Sequence, residues 1–307
     1  MSNKQSKSVW DPTVEVETNR HYWEGTDFKI NKRPPSHSEK PKVVELFSGC
    51  GGTSLGFEMA GFETILGADI HEPSIETFHW NHKKATSVLG DLRKMSGKEF
   101  QKLLDVYNKI DVMIAGVPCQ GFSINNRKRY SKDKRNYLFL EFLRLSSIVK
   151  PKIVLIENVS GLKSTDNGSF EKAIKNKIRE IGYRNVENRI LNAADYGVPQ
   201  NRKRLFFIGW NKDHKFTWPN PTNGIEGKPY LTVKDAIWDL PFIEPSGKSD
   251  SYNKKPITSY QKLMRKNSDT IYNHKAPRHP NTTINRIKNT KPDDTMYKKF
   301  KQRIRMH

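Results

Sequence analysis

A thiol follows an apolar run in the middle of the chain. Residues 112–115 have the composition of a buried strand, and Gly116, Val117 and Pro118 lead from them to Cys119. In an open parallel α/β sheet, ligands and reacting groups gather at the carboxyl edge of the strands. A thiol at that edge could act as a nucleophile, although most unpaired cysteines are small buried hydrophobic residues. The sequence around Cys119 alone leaves both interpretations open.

A carboxylate and two guanidinium groups come later in the chain. Residues 153–156 are apolar enough for a strand, and Glu157 follows them directly. A carboxylate at this place is costly to bury unpaired, so it is either bonded to a neighbour or tuned for proton transfer. Arg202 and Arg204 alternate on an extended segment and share a face, which suits a paired contact to an anion or a carbonyl. Solubility of an edge strand is the alternative explanation for the two arginines.

A glycine-rich turn near the start of the patterned region is typical of a ligand-binding loop. Residues 43–47 are predicted as a strand, residues 48–52 as the turn and Thr53 as the start of a helix. Glycine lets a ligand approach the backbone, and a helix start offers free N–H groups. Asp69 ends the second strand, where a carboxylate can accept hydrogen bonds from ribose hydroxyls. A purely structural turn remains the alternative, and Asp91 after the third strand is either a helix cap or a ligand contact.

The charge of the chain favours a polyanionic partner such as nucleic acid. Its 54 Lys and Arg residues against 33 Asp and Glu give a formal net charge of +21. Residues 124–135, just after the thiol, hold six cationic side chains and one acid. Such a loop suggests phosphate contacts, although a solvated loop is the ordinary explanation of a charged run.

Cysteine usage and hydropathy narrow the class of protein. The two cysteines, Cys50 and Cys119, exclude a disulfide framework and a zinc-ligand set within the chain. The sequence has no apolar run of membrane-spanning length, and its first residues lack the apolar core of a signal peptide. These features predict a cytoplasmic protein.

The elements that must position these residues follow one pattern. From residue 42 onward, short apolar strands alternate with helical segments, which predicts βαβ units and a mostly parallel sheet in an α/β fold. In the helix after the glycine turn, Leu55, Met59 and Ala60 fall on one face. Further helices are predicted near residues 74–81, 97–106, 138–149 and 170–181.

Four motifs occur in order along this pattern. They are Leu-Phe-Ser-Gly-Cys-Gly-Gly at 46–52, Pro-Cys-Gln-Gly-Phe-Ser at 118–123, Glu-Asn-Val at 157–159 and Gln-Asn-Arg-Lys-Arg at 200–204. Together they resemble the cytosine-5 DNA methyltransferases, over about residues 42–209 and more weakly over 273–287. The resemblance implies a Rossmann-like fold that binds S-adenosylmethionine and methylates carbon 5 of cytosine in duplex DNA. It also implies a setting in a restriction-modification system.

The resemblance gives each matching position a role. Cys119 would attack carbon 6 of a cytosine flipped out of the duplex, with the loop at 124–135 closing over it. Glu157 would hold ring nitrogen 3 and the exocyclic amine, and Arg204, supported by Arg202, the carbonyl. S-adenosylmethionine would be held by Phe47, Ser48, Gly49, Gly51, Gly52, Asp69, Ile70, Asp91, Leu92, Pro118 and Leu138. Double-stranded DNA would be contacted by Gln120, Ser123, Arg127 and Arg129.

Composition and motifs suggest three parts. Residues 1–41 are polar and are predicted as an N-terminal arm or linker, and residues 42–245 as the catalytic, S-adenosylmethionine-binding domain. Residues 246–307 are predicted as a basic extension that begins or docks a target-recognition region. Residues 247–307 contain sixteen Lys and Arg against four Asp and no Glu.

The later motifs of the family, including a final helix that returns to the cofactor site, are not found in this sequence. This pattern predicts the larger subunit of a split enzyme, a heterodimer in which a second polypeptide supplies target recognition. A truncated chain or a degenerate gene is the alternative. Two other functions stay open, namely a tRNA cytosine-5 methyltransferase and a non-catalytic DNA-binding subunit with the same fold.

Overall fold

A computed structural model describes residues 27–35, 38–118, 138–162, 168–211, 216–224, 227–266 and 268–290. In these residues the predicted alternation of strands and helices is confirmed as an α/β fold with an eight-stranded sheet. No helix of the described part is long and apolar enough to span a bilayer.

The strands match the predicted segments closely, with one addition at the N-terminal side. They are β1 (Lys29–Asn31), β2 (Lys42–Leu46), β3 (Glu63–Asp69), β4 (Thr86–Leu89), β5 (Val112–Gly116), β6 (Ile153–Val159), β7 (Asn185–Asn192) and β8 (Lys203–Trp210). The helices are α1 (Gly52–Met59), α2 (Glu72–Asn81), α3 (Gly97–Leu104), α4 (Leu138–Val149), α5 (Ser169–Glu180), α6 (Val233–Ile237), α7 (Ser259–Met264) and α8 (Asn281–Lys288).

The sheet has the strand order β1-β4-β3-β2-β5-β6-β8-β7. The central strands β4, β3, β2, β5 and β6 are parallel, whereas β1, β8 and β7 are antiparallel to their neighbours. The carboxyl ends of the parallel strands therefore lie at one edge of the sheet. Because β8 runs against β6, its first residues return to that same edge, and Arg204 lies opposite Val159.

Helices cover both faces of the sheet and bury its apolar side chains. Successive strand residues point to opposite faces, so Val44 packs in a large cluster with α3, α4 and α5 while Val43 packs toward Phe57 of α1. On that second face, Phe78 of α2 packs against Leu89 of β4. The burial of these side chains is the main force that holds the three layers together.

The apolar face predicted for α1 is real but points outward. Leu55 is 52% exposed and Met59 is 70% exposed, and Ala60 is exposed as well. The side that faces the sheet carries Ser54, which is fully buried, and Phe57. A polar contact to the sheet, described below, occupies the inner side of the first turn.

The segment predicted as an arm contributes the first strand. Residues 29–31 pair antiparallel with β4, in the register Ile30 to Val88. Phe28 packs against the main core, and a Cβ at Gly90 would lie 2.2 Å from its ring. Only three residues form this strand, too few for an alternating pattern to be visible in the sequence.

Backbone contacts divide the chain into two compact units. The sheet unit comprises Met1–Asn192 and Arg202–Pro219, and the C-terminal unit comprises Ala193–Asn201 and Asn220–His307. The predicted limits of the catalytic domain and of the basic extension, at 41 and 245, stay predictions, because packing units do not mark the limits of an activity.

Polar contacts support the C-terminal unit. Arg265 pairs with Asp239 at 3.2 Å, and Asp239 is only 3% exposed. The same guanidinium lies 3.6 Å from the ring centre of Tyr252. Thr232 and Thr258 begin α6 and α7 as capping boxes.

Candidate active site

Three adjacent strands bring candidate groups together at the carboxyl edge of the sheet. Leu46 pairs with Ala115 and Gly116 pairs with Glu157, so the residues after β2, the end of β5 and Glu157 lie side by side. A Cβ built on Gly116 would lie 3.4 Å from the carbonyl oxygen of Phe47, which shows how closely the two backbones approach. Pro118 is the last described residue before the predicted nucleophile.

Glu157 meets both predicted arginines. The Nε atom of Arg204 lies 2.8 Å from Oε1 of Glu157, and Nη2 of Arg202 lies 3.7 Å from the same oxygen. The side chains of Glu157 and Arg204 are 23% and 24% exposed, while that of Arg202 is 46% exposed. The carboxylate of Glu157 is therefore paired, in agreement with the first of the two interpretations of the sequence. The two guanidinium groups place positive charge at a partly buried edge of the sheet.

The glycine turn has a defined backbone conformation. The N–H of Ser48 donates to Ala68 at 3.0 Å, and the N–H of Gly51 donates to Ser48 at 2.9 Å. Phe47 has a positive φ of 55°, an uncommon conformation for a residue with a side chain. Gly49 and Gly51 have φ values of 52° and 84°. A non-glycine residue at either position would carry a strain of about 1 kcal/mol or more.

The glycines of the turn differ in the space beside them. Within the described residues, no atom lies within 4 Å of a Cβ built on Gly49 or Gly52. A Cβ on Gly51, in contrast, would lie 2.2 Å from Nε2 of His82. Gly49 and Gly52 therefore leave open backbone that a ligand can approach, which fits S-adenosylmethionine, while Gly51 is enclosed by protein.

Asp69 supports the turn from the end of β3. Its Oδ2 accepts the N–H of Gly49 and its Oδ1 accepts the N–H of His71, both at 2.8 Å. Burial raises the pKa of Asp69, although these backbone donors act against the shift. Each carboxylate oxygen has two lone pairs, so each can accept a further hydrogen bond beside these. Ile70 follows and is half-buried.

The remaining predicted cofactor residues lie in different environments. Burial raises the pKa of Asp91, but hydrogen bonds from Arg93 outweigh it and hold the pKa below its ordinary value. The Leu92 side chain is 3% exposed and belongs to the main core, so only its backbone could face a ligand. Leu138 opens α4 and is half-buried against the same core, and Pro118 is half-buried.

The predicted nucleophile and the predicted DNA contacts lie outside the described residues. These are Cys119, Gln120, Ser123, Arg127 and Arg129. Their predicted roles stay predictions.

Glu45 was missed in the sequence and proves to be part of the support for the site. It lies within β2, is 1% exposed, and its Oε2 accepts the N–H of Ser54 at 3.0 Å and the hydroxyl of Ser54 at 2.5 Å. It thus caps the first turn of α1 from the neighbouring strand. Burial is the largest influence and raises the pKa of Glu45. An acid inside the otherwise apolar run 43–46 was the available signal.

Comparison with known proteins agrees with the motifs found in the sequence. A model of the family described as C-5 cytosine-specific DNA methylase matches residues 41–306. The chain is 35% identical over 252 residues to Type II methyltransferase M.DdeI of Desulfomicrobium norvegicum, which covers 80% of this chain and 60% of that protein. It is 39% identical over 213 residues to Type II methyltransferase M.NgoPII of Neisseria gonorrhoeae, covering 68% and 60%. The chain thus spans about 60% of the length of these curated relatives.

A solved structure has a fold similar to that of this chain. It is described as a DNA modification methyltransferase encoded within a prophage of E. coli. It superposes with a TM-score of 0.67 at 26% sequence identity, covering 82% of this chain and 76% of the other.

Replacement of Glu45 by Gln should change how stability depends on pH. Because the pKa of Glu45 is raised, ionisation of the buried carboxyl costs folding free energy. The contribution of the neutral carboxyl to folding stability is therefore fully present at low pH and is lost as pH rises through the raised pKa. Gln keeps an acceptor for Ser54 without that charge. We expect the stability of Glu45→Gln relative to the natural chain to increase between about pH 4 and about pH 8, measured by urea unfolding. Glu244→Gln, at an exposed carboxyl, serves as the control. A constant difference across this range would contradict the assignment.

Proposed function

Because the chain belongs to the family of C-5 cytosine-specific DNA methylases, we propose that it transfers a methyl group from S-adenosylmethionine to carbon 5 of cytosine in duplex DNA. The observation that carries this proposal is the pairing of Glu157 with Arg204 at 2.8 Å, at the sheet edge where β5 leads toward Cys119. The names of the Type II methyltransferase relatives support a role as the modification component of a restriction-modification system.

The glycine turn is the proposed cofactor site. S-adenosylmethionine supplies an electrophilic methyl group on a sulfonium ion when it is bound. The open backbone at Gly49 and Gly52 and the N–H groups at the start of α1 would bind its polar end. Asp69 would accept from its ribose. The other proposed contacts are Phe47, Ser48, Gly51, Ile70, Asp91, Leu92, Pro118 and Leu138.

The catalytic residues would act on the ring of an extruded cytosine. The thiolate of Cys119 would form a bond to carbon 6, and the electron pair of the carbon 5–carbon 6 double bond would become available at carbon 5 for methyl transfer. Glu157 would hold nitrogen 3 and the exocyclic amine, and Arg204 would stabilise charge on the carbonyl oxygen, with Arg202 beside it. Methyl transfer would break the bond to the sulfonium sulfur and leave a neutral thioether. Loss of the carbon 5 proton to solvent water and expulsion of the thiolate would then restore the double bond and the free enzyme.

Access to carbon 5 requires the base to leave the stack, at a cost of roughly a few kcal/mol. Gln120, Ser123, Arg127 and Arg129 are the proposed DNA contacts. The chain's net charge of +21 supports a polyanionic substrate. A non-catalytic DNA-binding subunit would have no need of Glu157 paired with Arg204 beside an open glycine turn, which favours an enzyme.

Replacement of Cys119 by Ser should abolish methyl transfer while DNA affinity stays within about twofold, because a serine hydroxyl is a far weaker nucleophile. Incorporation of labelled methyl groups into duplex DNA should fall at least about a thousandfold. Transfer RNA is assayed in parallel, and preferential labelling of tRNA by the natural chain would favour that substrate instead. Retained turnover in Cys119→Ser would contradict the covalent mechanism.

Gly52→Ala should weaken binding of S-adenosylmethionine without loss of folding. The added Cβ meets no atom of the described protein, so only a bound ligand would sense it. We expect the Kd from titration calorimetry to rise at least about tenfold, with Tm unchanged. Gly56→Ala is the matched control, because it lies in the same helix with equally open surroundings and should leave binding unaffected. Equal affinity of the two variants would argue against a cofactor at this turn.

A further inference from the structure

An arginine on α4 holds the backbone of residues 91–95, which follow β4 and are called the β4 turn below. Nη2 of Arg144 donates to the carbonyl oxygen of Met95 at 2.8 Å and to that of Leu92 at 3.2 Å. Nε of the same guanidinium donates to Oε2 of Glu141 at 2.8 Å, one turn earlier in α4. An ion pair of this spacing on a helix surface contributes little. The bonds to the two carbonyls, in contrast, join elements that are 49 and 52 residues apart in the sequence.

The β4 turn begins with a proposed cofactor contact. The carbonyl of Asp91 accepts the N–H of Lys94 at 2.8 Å, and the carbonyl of Leu92 accepts the N–H of Met95 at 3.2 Å, so the backbone is tightly folded. The side chains of Leu92 and Met95 are 3% and 2% exposed and pack in the main core. The core therefore holds the side chains of the turn, while Arg144 fixes the direction of its carbonyl groups.

The strand order indicates which part of the cofactor the β4 turn would meet. β2, β3 and β4 lie side by side and parallel, so their carboxyl ends are consecutive along the edge of the sheet. The turn after β2 is the proposed site of the polar end of S-adenosylmethionine, and Asp69 after β3 that of the ribose. The N–H of Gly90 donates to the carbonyl oxygen of Asp69 at 3.0 Å, so the β4 turn comes next. The part of the cofactor that remains for it is the adenine base.

The β4 turn offers that base an acceptor. Burial raises the pKa of Asp91, but hydrogen bonds from Arg93 outweigh it and hold the pKa below its ordinary value, so the group is a carboxylate near neutral pH. A carboxylate has about four lone-pair sites and can only accept. Arg93 occupies three of them with its backbone N–H, Nε and Nη2 groups, and one is left. The exocyclic amine of adenine can donate to that site, whereas hypoxanthine has a carbonyl oxygen in the place of the amine.

We propose that Arg144 is a positioning residue for the base of S-adenosylmethionine, which fixes the β4 turn so that Asp91 can accept the adenine amine. This inference rests on the proposed function. Arg144 acts through the backbone of the turn, from a helix that is itself well anchored. Phe142 and Leu145 of α4 are fully buried in the same core as the side chains of the turn.

Glu141 orients the guanidinium of Arg144. The two side chains are 27% and 37% exposed, so solvent weakens their ion pair. Glu141 also interacts electrostatically with Arg93, the residue that holds the Asp91 carboxylate. Glu141→Gln keeps an acceptor for Nε of Arg144, and we expect it to change cofactor affinity by about twofold or less. The effect of Arg144 therefore lies mainly in its bonds to the two carbonyls.

Arg144→Met should remove the preference for adenine. The ligands are S-adenosylhomocysteine and S-inosylhomocysteine, which carry adenine and hypoxanthine, and titration calorimetry with the full chain gives each Kd. We expect the natural chain to bind the adenine ligand at least about tenfold more tightly. In Arg144→Met its Kd should rise about tenfold while the Kd of the hypoxanthine ligand changes little, so that the preference is lost. A merely structural role would weaken both ligands by the same factor.

Two further variants serve as controls. Lys177→Met breaks an ion pair of the same spacing on α5, that of Lys177 with Glu180 at 2.6 Å, and should keep the natural preference. Arg144→Lys keeps a cation beside Glu141 but lacks the planar group that reaches both carbonyls. It should lose most of the preference, and it decides the question if Arg144→Met does not fold.

The outcomes separate this inference from the proposed function. A natural preference for adenine in the Arg144 variants, or an equal loss of affinity for both ligands, would overturn the inference alone. Tight binding of both ligands by the natural chain without a preference would overturn the assignment of the β4 turn to the base, and the inference with it. Binding of neither ligand by the natural chain would contradict the proposed function itself.

Discussion

Parallel pairing of β2, β5 and β6 is the constraint on which the candidate site depends. The register places the backbone after Leu46 beside Gly116, and Gly116 beside Glu157. Groups that are far apart in the sequence therefore lie together at one edge, where the strands hold them in place. The antiparallel return of β8 adds Arg204 to the same edge, within reach of the Glu157 carboxylate. A one-residue shift of any of these strands would turn the side chains to the opposite face and separate the ion pair.

Three hydrogen bonds hold the glycine turn on the side that faces the protein. Asp69 accepts the N–H of Gly49, Glu45 accepts the N–H of Ser54, and His82 donates to the carbonyl of Gly51. The first two bonds satisfy N–H groups that the turn and the helix start would otherwise leave unpaired. The third is a second bond to a carbonyl that also accepts the N–H of Leu55. The outer side of the turn is open while its inner side is tied to three different elements. Such an arrangement lets the backbone face a ligand without having to reorganise when the ligand binds.

Much of the fold could be predicted from the sequence because apolar runs and alternating patterns are local properties. Strands such as β5 and β6 and the edge position of Glu157 follow from them. Strand direction does not, so the antiparallel course of β8 and its pairing with β6 appear only in the structure. The spacing of Leu55 and Met59 gives a shared face of α1 but not its direction, because it carries no information on which side a buried carboxylate will occupy. Glu45 and His82 were missed for a related reason, since their partners lie on other elements and no local spacing marks them.

The short strand β1 has a consequence for the behaviour of the chain in concentrated solution. Without it, β4 would present a row of unpaired N–H and C=O groups, and an open strand of this kind is a template on which other chains can add and form aggregates. β1 covers that row with only three residues, and its Lys29 pairs with Glu72 at 3.3 Å, which places charge at the new border. A brief, charged border strand is a poor acceptor for further strands. We expect β1 to hinder edge-to-edge addition of other chains to the sheet, independently of the proposed chemistry.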